Sequence, residues 1–268
     1  MAKVAFITSI YGDYEDSCKP FPPQSIPVDF ICFTDNKDIY TSGWIIDTNP
    51  YHYTHPSPLD TGKEYNSVHV NKHTFNIAKY YKQSFHNIPR LAGYDVVIWI
   101  DATVEVLGKT TAEYMLHTVK KYGIVGWSHE ERSGKLIDEM EMSMAMVKYN
   151  STSWIDQSQP LQDVRNQYNE YIKQGYTDDI WKQFHNENPN YGVWITCFVG
   201  FHMRDSHIIS FLDHWYKQTL DYTTQDQVSF TFSCFHKKLY PYTLPDKEIQ
   251  GEYPHIKTDL YYKHNHGI

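Results

Sequence analysis

The chain has 268 residues, 41% hydrophobic and 21% charged, which excludes a disordered chain and suits one large α/β domain or two small ones. A formal net charge of −8, with 24 basic against 32 acidic residues and no Lys/Arg block, disfavours a nucleic-acid groove. No apolar run reaches membrane-spanning length, and the start, Met1 to Ile7, turns polar too soon for a signal peptide, so the expectation is a soluble, cytoplasmic protein.

Lys3 to Ile10 is a β-rich apolar run closed by Tyr11-Gly12-Asp13-Tyr14, the way an α/β sheet opens. Pro20, Pro22, Pro23 and Pro27 mark a loop. Val28 to Asp35 reads as a second strand, with the Asp35-Asn36 turn placing a carboxylate at its end. Trp44-Ile45-Ile46 is a short third strand, and residues 49–66 form a long aromatic loop of the kind that is usually functional. A helix is predicted between Asn71 and Phe85, with Phe75, Ala78, Tyr80 and Tyr81 apolar and Lys72, Lys79 and Lys82 largely on other faces.

Val96 to Ile100 is the most continuous apolar run and stops abruptly at Asp101, as expected of a strand at the centre of a sheet covered on both faces. Thr111–Tyr122 is a helix and Gly123–Trp127 a strand. From Glu130 to about Gly175 the sequence reads as helical, and Met140, Met142, Met144 and Met146 read as adaptable core. Asn186–Asn190 is a turn, Val193–Met203 returns to β character, and Ser206–Leu220 is an amphipathic helix. Thr224 is the expected N-cap of a last helix through Phe235. The tail from Leu239 is rich in Tyr, Pro and His. With no repeat and no linker, residues 1–268 read as a single α/β domain with a helical insertion.

Cys18, Cys32, Cys197 and Cys234 show no C-x-x-C spacing, so neither a zinc site nor a disulfide framework is indicated, and Cys32 and Cys197 read as reduced core residues. The 23 tyrosines suit sugar and base stacking and suit core filling equally. Ligands of open α/β sheets bind beyond the carboxyl ends of the strands, where both Asp35 and Asp101 fall. An Asp after a central strand is costly to bury and normally meets a cation, a basic side chain or a ligand.

These blocks resemble a family of GT-A-type glycosyltransferases associated with plant mucilage and pectin synthesis and formerly catalogued as a domain of unknown function. The resemblance runs through Ile10-Tyr11-Gly12-Asp13-Tyr14-Glu15, Phe33-Thr34-Asp35, Gly43-Trp44, Ile98-Trp99-Ile100-Asp101-Ala102 and Ser128-His129 with Arg132 and Glu139. It ends at Gln225-Asp226-Gln227-Val228-Ser229-Phe230, where Gln225 stands for the family's arginine.

The resemblance implies a GT-A-like domain with a central, mostly parallel twisted sheet flanked by helices. Its nucleotide-binding half would cover about residues 1–128 and its acceptor half about 129–268. It implies transfer of a hexose or pentose from a nucleotide sugar, a UDP-sugar first, to a glycan or glycoprotein hydroxyl. Thr8 and Tyr11 would meet the base, Asp35 the base or ribose, and His129 and Arg132 the donor, with Glu139 orienting Arg132. Asp101 would hold Mn²⁺ or Mg²⁺ on the diphosphate. Thr103 replaces the second carboxylate of the D-x-D motif, so further ligands would come from His264 or His266, or Lys72, Lys79 and Lys82 would neutralise the phosphates instead. Asp226 would be the general base if the reaction inverts, or else only part of a helix cap. A non-catalytic nucleotide- or carbohydrate-binding protein, and an Asp-nucleophile phosphotransferase built on Asp101, are the alternatives.

Overall fold

The structure, a computed structural model, describes residues 2–12, 14–53, 74–129, 135–146, 163–177, 179–180, 183, 193–244 and 261–263. The strands are β1 (Val4–Ile10), β2 (Asp29–Thr34), β3 (Ile45–Asp47), β4 (Val96–Ile100), β5 (Val104–Val106), β6 (Ile124–Ser128), β7 (Trp194–His202), β8 (Tyr242–Leu244) and β9 (Tyr261–Lys263). The helices are α1 (Thr74–Gln83), α2 (Thr111–Tyr122), α3 (Leu136–Ala145), α4 (Val164–Lys173), α5 (Ser206–Asp221) and α6 (Asp226–Lys237).

Seven strands form one mixed sheet in the order β3-β2-β1-β4-β7-β6-β8, while β5 and β9 make a separate antiparallel pair. Neighbours in the large sheet are parallel except at β7, which runs against both β4 and β6. The sheet is thus mostly parallel, as expected. β1, β2, β4 and β6 all point the same way, so their carboxyl ends share one edge.

All residues of β1 and β4 are buried, which explains their unbroken apolar character. The two faces are read from the alternation. Ala5, Ile7, Val97 and Trp99 pack in one core with Tyr80 and Tyr81 of α1 and with α5 and α6. Val4, Phe6, Val96, Ile98 and Ile100 pack in the other with α2. Asp101, two residues beyond Trp99, continues the first of these faces.

On the α2 side the packing depends on a missing side chain. A Cβ at Gly200 of β7 would lie 2.6 Å from Val119 Cγ2 and 2.7 Å from Met115 Cε. Gly200→Ala is expected to cost about 1–3 kcal/mol by pushing α2 off the sheet, a loss that urea unfolding would measure. Helix α2 ends at Gly123, whose φ of 84° needs a residue without a Cβ.

Several sequence expectations are refined. Among the described residues the stretch after Glu130 holds the helices α3 and α4, and Met140 is indeed core while Met142 is 48% exposed. The N-cap of α6 is Gln225 rather than Thr224, its side chain accepting from the Gln227 N–H. The Thr223 hydroxyl accepts from the Gln225 N–H and donates to Gln167, which fixes the turn one residue later than the Thr signal suggests. The Asn186–Asn190 turn and residues 54–66 of the aromatic loop lie outside the described residues. Among those described, all four cysteines are buried and outside any disulfide, and no helix is long and apolar enough to cross a membrane.

Candidate functional site

The edge of the sheet at the end of β4 carries a cluster of four charges. The Asp101 N–H donates to Cys197 O on β7 (2.9 Å) and its carbonyl accepts from the Val104 N–H (2.8 Å), so the backbone turns sharply there and the carboxylate is held in place. Asp101 Oδ1 accepts from Trp99 Nε1 at 2.7 Å, a bond made between two side chains on the same strand face. It also accepts from Lys82 Nζ at 3.3 Å.

Lys82 lies on α1 with only 3% of its side chain exposed. Its ammonium bonds to Thr196 Oγ1 of β7 at 3.1 Å, pairs with Asp226 Oδ2 at 2.5 Å and stands 5.7 Å from the Trp99 ring centre. Lys79, one turn earlier on α1, pairs with the same Asp226 oxygen at 3.0 Å. Asp226 opens the first turn of α6 and is buried. Helix spacing of three residues puts both lysines on one face, and β4, α1 and α6 bring the four charges together.

Formally the two lysines cancel the two aspartates. Burial would raise the Asp226 pKa, but the Lys79 and Lys82 ammonium groups outweigh it and hold the carboxyl well below the usual range. Burial likewise disfavours the charged form of Lys82, and here Asp101 and Asp226 outweigh it, so its pKa is raised. For Lys79 burial wins: with Lys82 opposing and Asp226 compensating only in part, its pKa falls to about 8. Of the four, Asp101 faces solvent most, with a third of its side chain exposed, and Lys79 next, with about a fifth.

The structure therefore brings together Asp101, Lys79, Lys82 and Asp226, all four named in the sequence expectation. Asp35 stands at the end of β2, exposed, with both carboxylate oxygens accepting from the Gly12 N–H (3.2 and 3.3 Å), where Gly12 has φ 62°. His129 follows β6, half-buried, its N–H donating to Val193 O at 2.6 Å.

Thr8 and Tyr11, expected to meet the base, are both buried. Thr8 is 2% exposed, beneath the β1 surface on the α2 side, and Tyr11 donates its hydroxyl to Tyr81 (2.8 Å) and stacks on that ring. Both are enclosed because β1 is covered on both faces. Lys72, Arg132, His264 and His266 lie outside the described residues.

Glu139 is fully buried and accepts from Gln225 and Gln227 at the start of α6, while Arg132, which it was expected to orient, lies outside the described residues. Sequence reasoning had no signal for Thr196, a threonine inside an apolar strand. It had Trp99 in its motif but not the indole's role as donor to Asp101.

A divalent cation is what the GT-A resemblance implies. Asp101 offers a partly exposed, all-oxygen donor of the kind a hard cation prefers. Among the described residues no group of three or more His, Cys, Asp or Glu could hold a metal, so Asp101 would be one ligand in a set completed elsewhere.

No protein-family model matches the chain, and no curated protein matches it. Solved structures do. The fold is similar to that of solved glycosyltransferases. WbbM, a bifunctional glycosyltransferase solved without ligand, superposes with a TM-score of 0.50 at 14% identity, over 91% of this chain and 39% of the longer WbbM chain. Core-mannan synthase A of Aspergillus fumigatus, solved in its Mn/GDP form, gives 0.42 at 11% identity, over 87% of this chain and 70% of that one. At identities this low the likeness shows the fold alone.

Proposed function

We propose that this protein transfers a sugar from a nucleotide-sugar donor, a UDP-sugar in the first instance, to a glycan hydroxyl. The observation that carries the reading is the Asp101–Lys82–Asp226–Lys79 cluster at the carboxyl edge of a glycosyltransferase-like sheet, where α/β folds bind their ligands. The nucleotide lies over the ends of β1 and β2, with Asp35 reaching the base or ribose. Lys79 contributes a point charge to the diphosphate. His129 and Arg132 contact the donor.

Charge balance supports a cation at Asp101. A diphosphate entering a cluster whose four charges cancel would leave its own charge uncompensated, whereas a diphosphate carrying a dication would not. Donor phosphate oxygens, water and His264 or His266 would complete the coordination. The pairing of β9 with β5, Lys263 opposite Val104, supports a tail that returns beside the segment following Asp101. Such a cation would neutralise the departing diphosphate.

Asp226 is a weak base while two lysines hold it. If Lys79 turns to the diphosphate, the proton affinity of Asp226 rises and it accepts the acceptor hydroxyl's proton as the new glycosidic bond forms.

The test is a panel of UDP- and GDP-sugars assayed for donor hydrolysis with Mn²⁺ and with chelator, alongside calorimetry of UDP. Turnover with one donor is expected. Tight UDP binding without any turnover would favour a binding protein, and neither binding nor turnover would sink the reading.

Nucleotide affinity should also depend on pH through Lys79. The ammonium is charged below about pH 8 and lost above it, so UDP affinity should fall by up to about tenfold per pH unit as pH rises past that value. Lys79→Arg, which stays charged, should bind UDP equally well at pH 7 and pH 9. An unchanged slope in that variant would remove Lys79 from the binding site.

A further inference from the structure

We infer that Glu139 is a positioning residue that holds Asp226 in place through the two glutamines on either side of it. Glu139 sits on α3 with no exposed surface. Its Oε1 accepts from Gln225 Nε2 at 2.9 Å and from Gln227 Nε2 at 2.9 Å, and Ser143, one turn along α3, donates to it at 3.3 Å. Gln225 Nε2 also donates to Ser143 Oγ at 2.5 Å.

Gln225 and Gln227 are the residues immediately before and after Asp226, and Gln225 is the cap of α6. The first turn of α6 is therefore tied on one side to α3 through amide side chains. The Asp226 carboxylate is tied on the other side to α1 through Lys79 and Lys82. Asp226 is suspended between two helices, and its direction depends on both tethers.

A buried carboxylate is costly unless its hydrogen bonds are made. If the role of Glu139 were only to fill space, an apolar residue would serve better. Gathering both flanking amides on one oxygen instead fixes the rotation of the α6 start about its axis, and with it the aim of the residue between them. The insertion that carries α3 thereby contributes to the site without supplying a side chain that touches substrate.

The kinetic part of this inference rests on the glycosyltransferase reading; the positional part does not. The test compares the wild type with Glu139→Gln, Glu139→Leu and Gln227→Leu. Lys79 is followed by NMR of ¹³C-labelled lysine, and donor turnover is measured where it exists. Glu139→Gln keeps an acceptor oxygen but loses the charge, whereas Gln227→Leu keeps the charge but loses a tether.

The Lys79 midpoint should fall by about half a pH unit or more in the two leucine variants, because Asp226 no longer faces it squarely. It should stay close to wild type in Glu139→Gln. In the same leucine variants kcat should drop about tenfold with little change in the donor's KM. An unmoved Lys79 midpoint in whichever leucine variant folds overturns the inference. If Glu139→Leu does not fold, Gln227→Leu, at a half-buried position, decides alone. Absence of donor turnover in the wild type overturns the functional reading, while the lysine titration still decides the positioning.

Discussion

Asp101→Asn should abolish sugar transfer while leaving the fold intact. The substitution is nearly isosteric, and the amide oxygen still accepts from Trp99 Nε1, so the turn at the end of β4 keeps its main side-chain tie. It removes the negative charge on the most exposed member of the cluster, where the proposed cation would sit. Losing a contribution of about 3 kcal/mol to leaving-group stabilisation corresponds to roughly a hundredfold in rate. Donor turnover should fall by at least that, and Mn²⁺ should no longer strengthen UDP binding. Thermal unfolding should move by only a few degrees. Full activity in this variant would sink the assignment of Asp101.

Breaking the buried Lys82–Asp226 pair one side at a time should be among the most destabilising surgery the molecule allows. Lys82 has 3% of its side chain exposed and Asp226 has 6%, so removing either partner leaves a buried charge with only its longer ion pair, Asp226 with Lys79 at 3.0 Å or Lys82 with Asp101 at 3.3 Å. Lys82→Met and Asp226→Leu should each cost about 3–5 kcal/mol. The double variant should recover much of that loss, because it removes both desolvation penalties together. A coupling of at least about 2 kcal/mol in the double-mutant cycle is expected from chemical denaturation. Single losses that are small and simply add would mean the pair is open to solvent.

The two predictions separate chemistry from architecture. Asp101 should matter to function more than to stability, since a third of its side chain is open and Trp99 orients it in either form. Lys82 should matter first to stability. Asp226 should matter to both, since its carboxylate is tied to α1 and the glutamines on either side of it to α3. Under the proposed function the donor has to open the tie to α1 before Asp226 can accept a proton.

Much of the scaffold was legible in the sequence because periodicity and burial are local signals. Val4–Ile10 and Val96–Ile100 are unbroken apolar runs, and only strands covered on both faces need to be so. The helix Thr111–Tyr122 and the strand around Trp194–His202 follow from the same reasoning, as does a carboxylate stationed at the end of the central strand. That β7 runs against its neighbours was not legible, because strand direction depends on how the chain crosses over and not on the residues within the strand.

What the sequence determined by itself was the class of architecture, the central strand and the aspartate at its carboxyl end. What the tertiary structure alone decided was the company that aspartate keeps. Lys82 is 19 residues away along the chain, and it also bonds to Thr196, 114 residues from Lys82. Glu139 reaches Gln225 and Gln227 across 86 and 88 residues. A charge's partner is chosen by which helices pack over the sheet edge, and no residue pattern encodes that distance. The burial of Tyr11 was decided in the same way: position at a strand's end says nothing about the helix that covers it, and here Tyr81 of α1 bonds to Tyr11 and stacks on its ring.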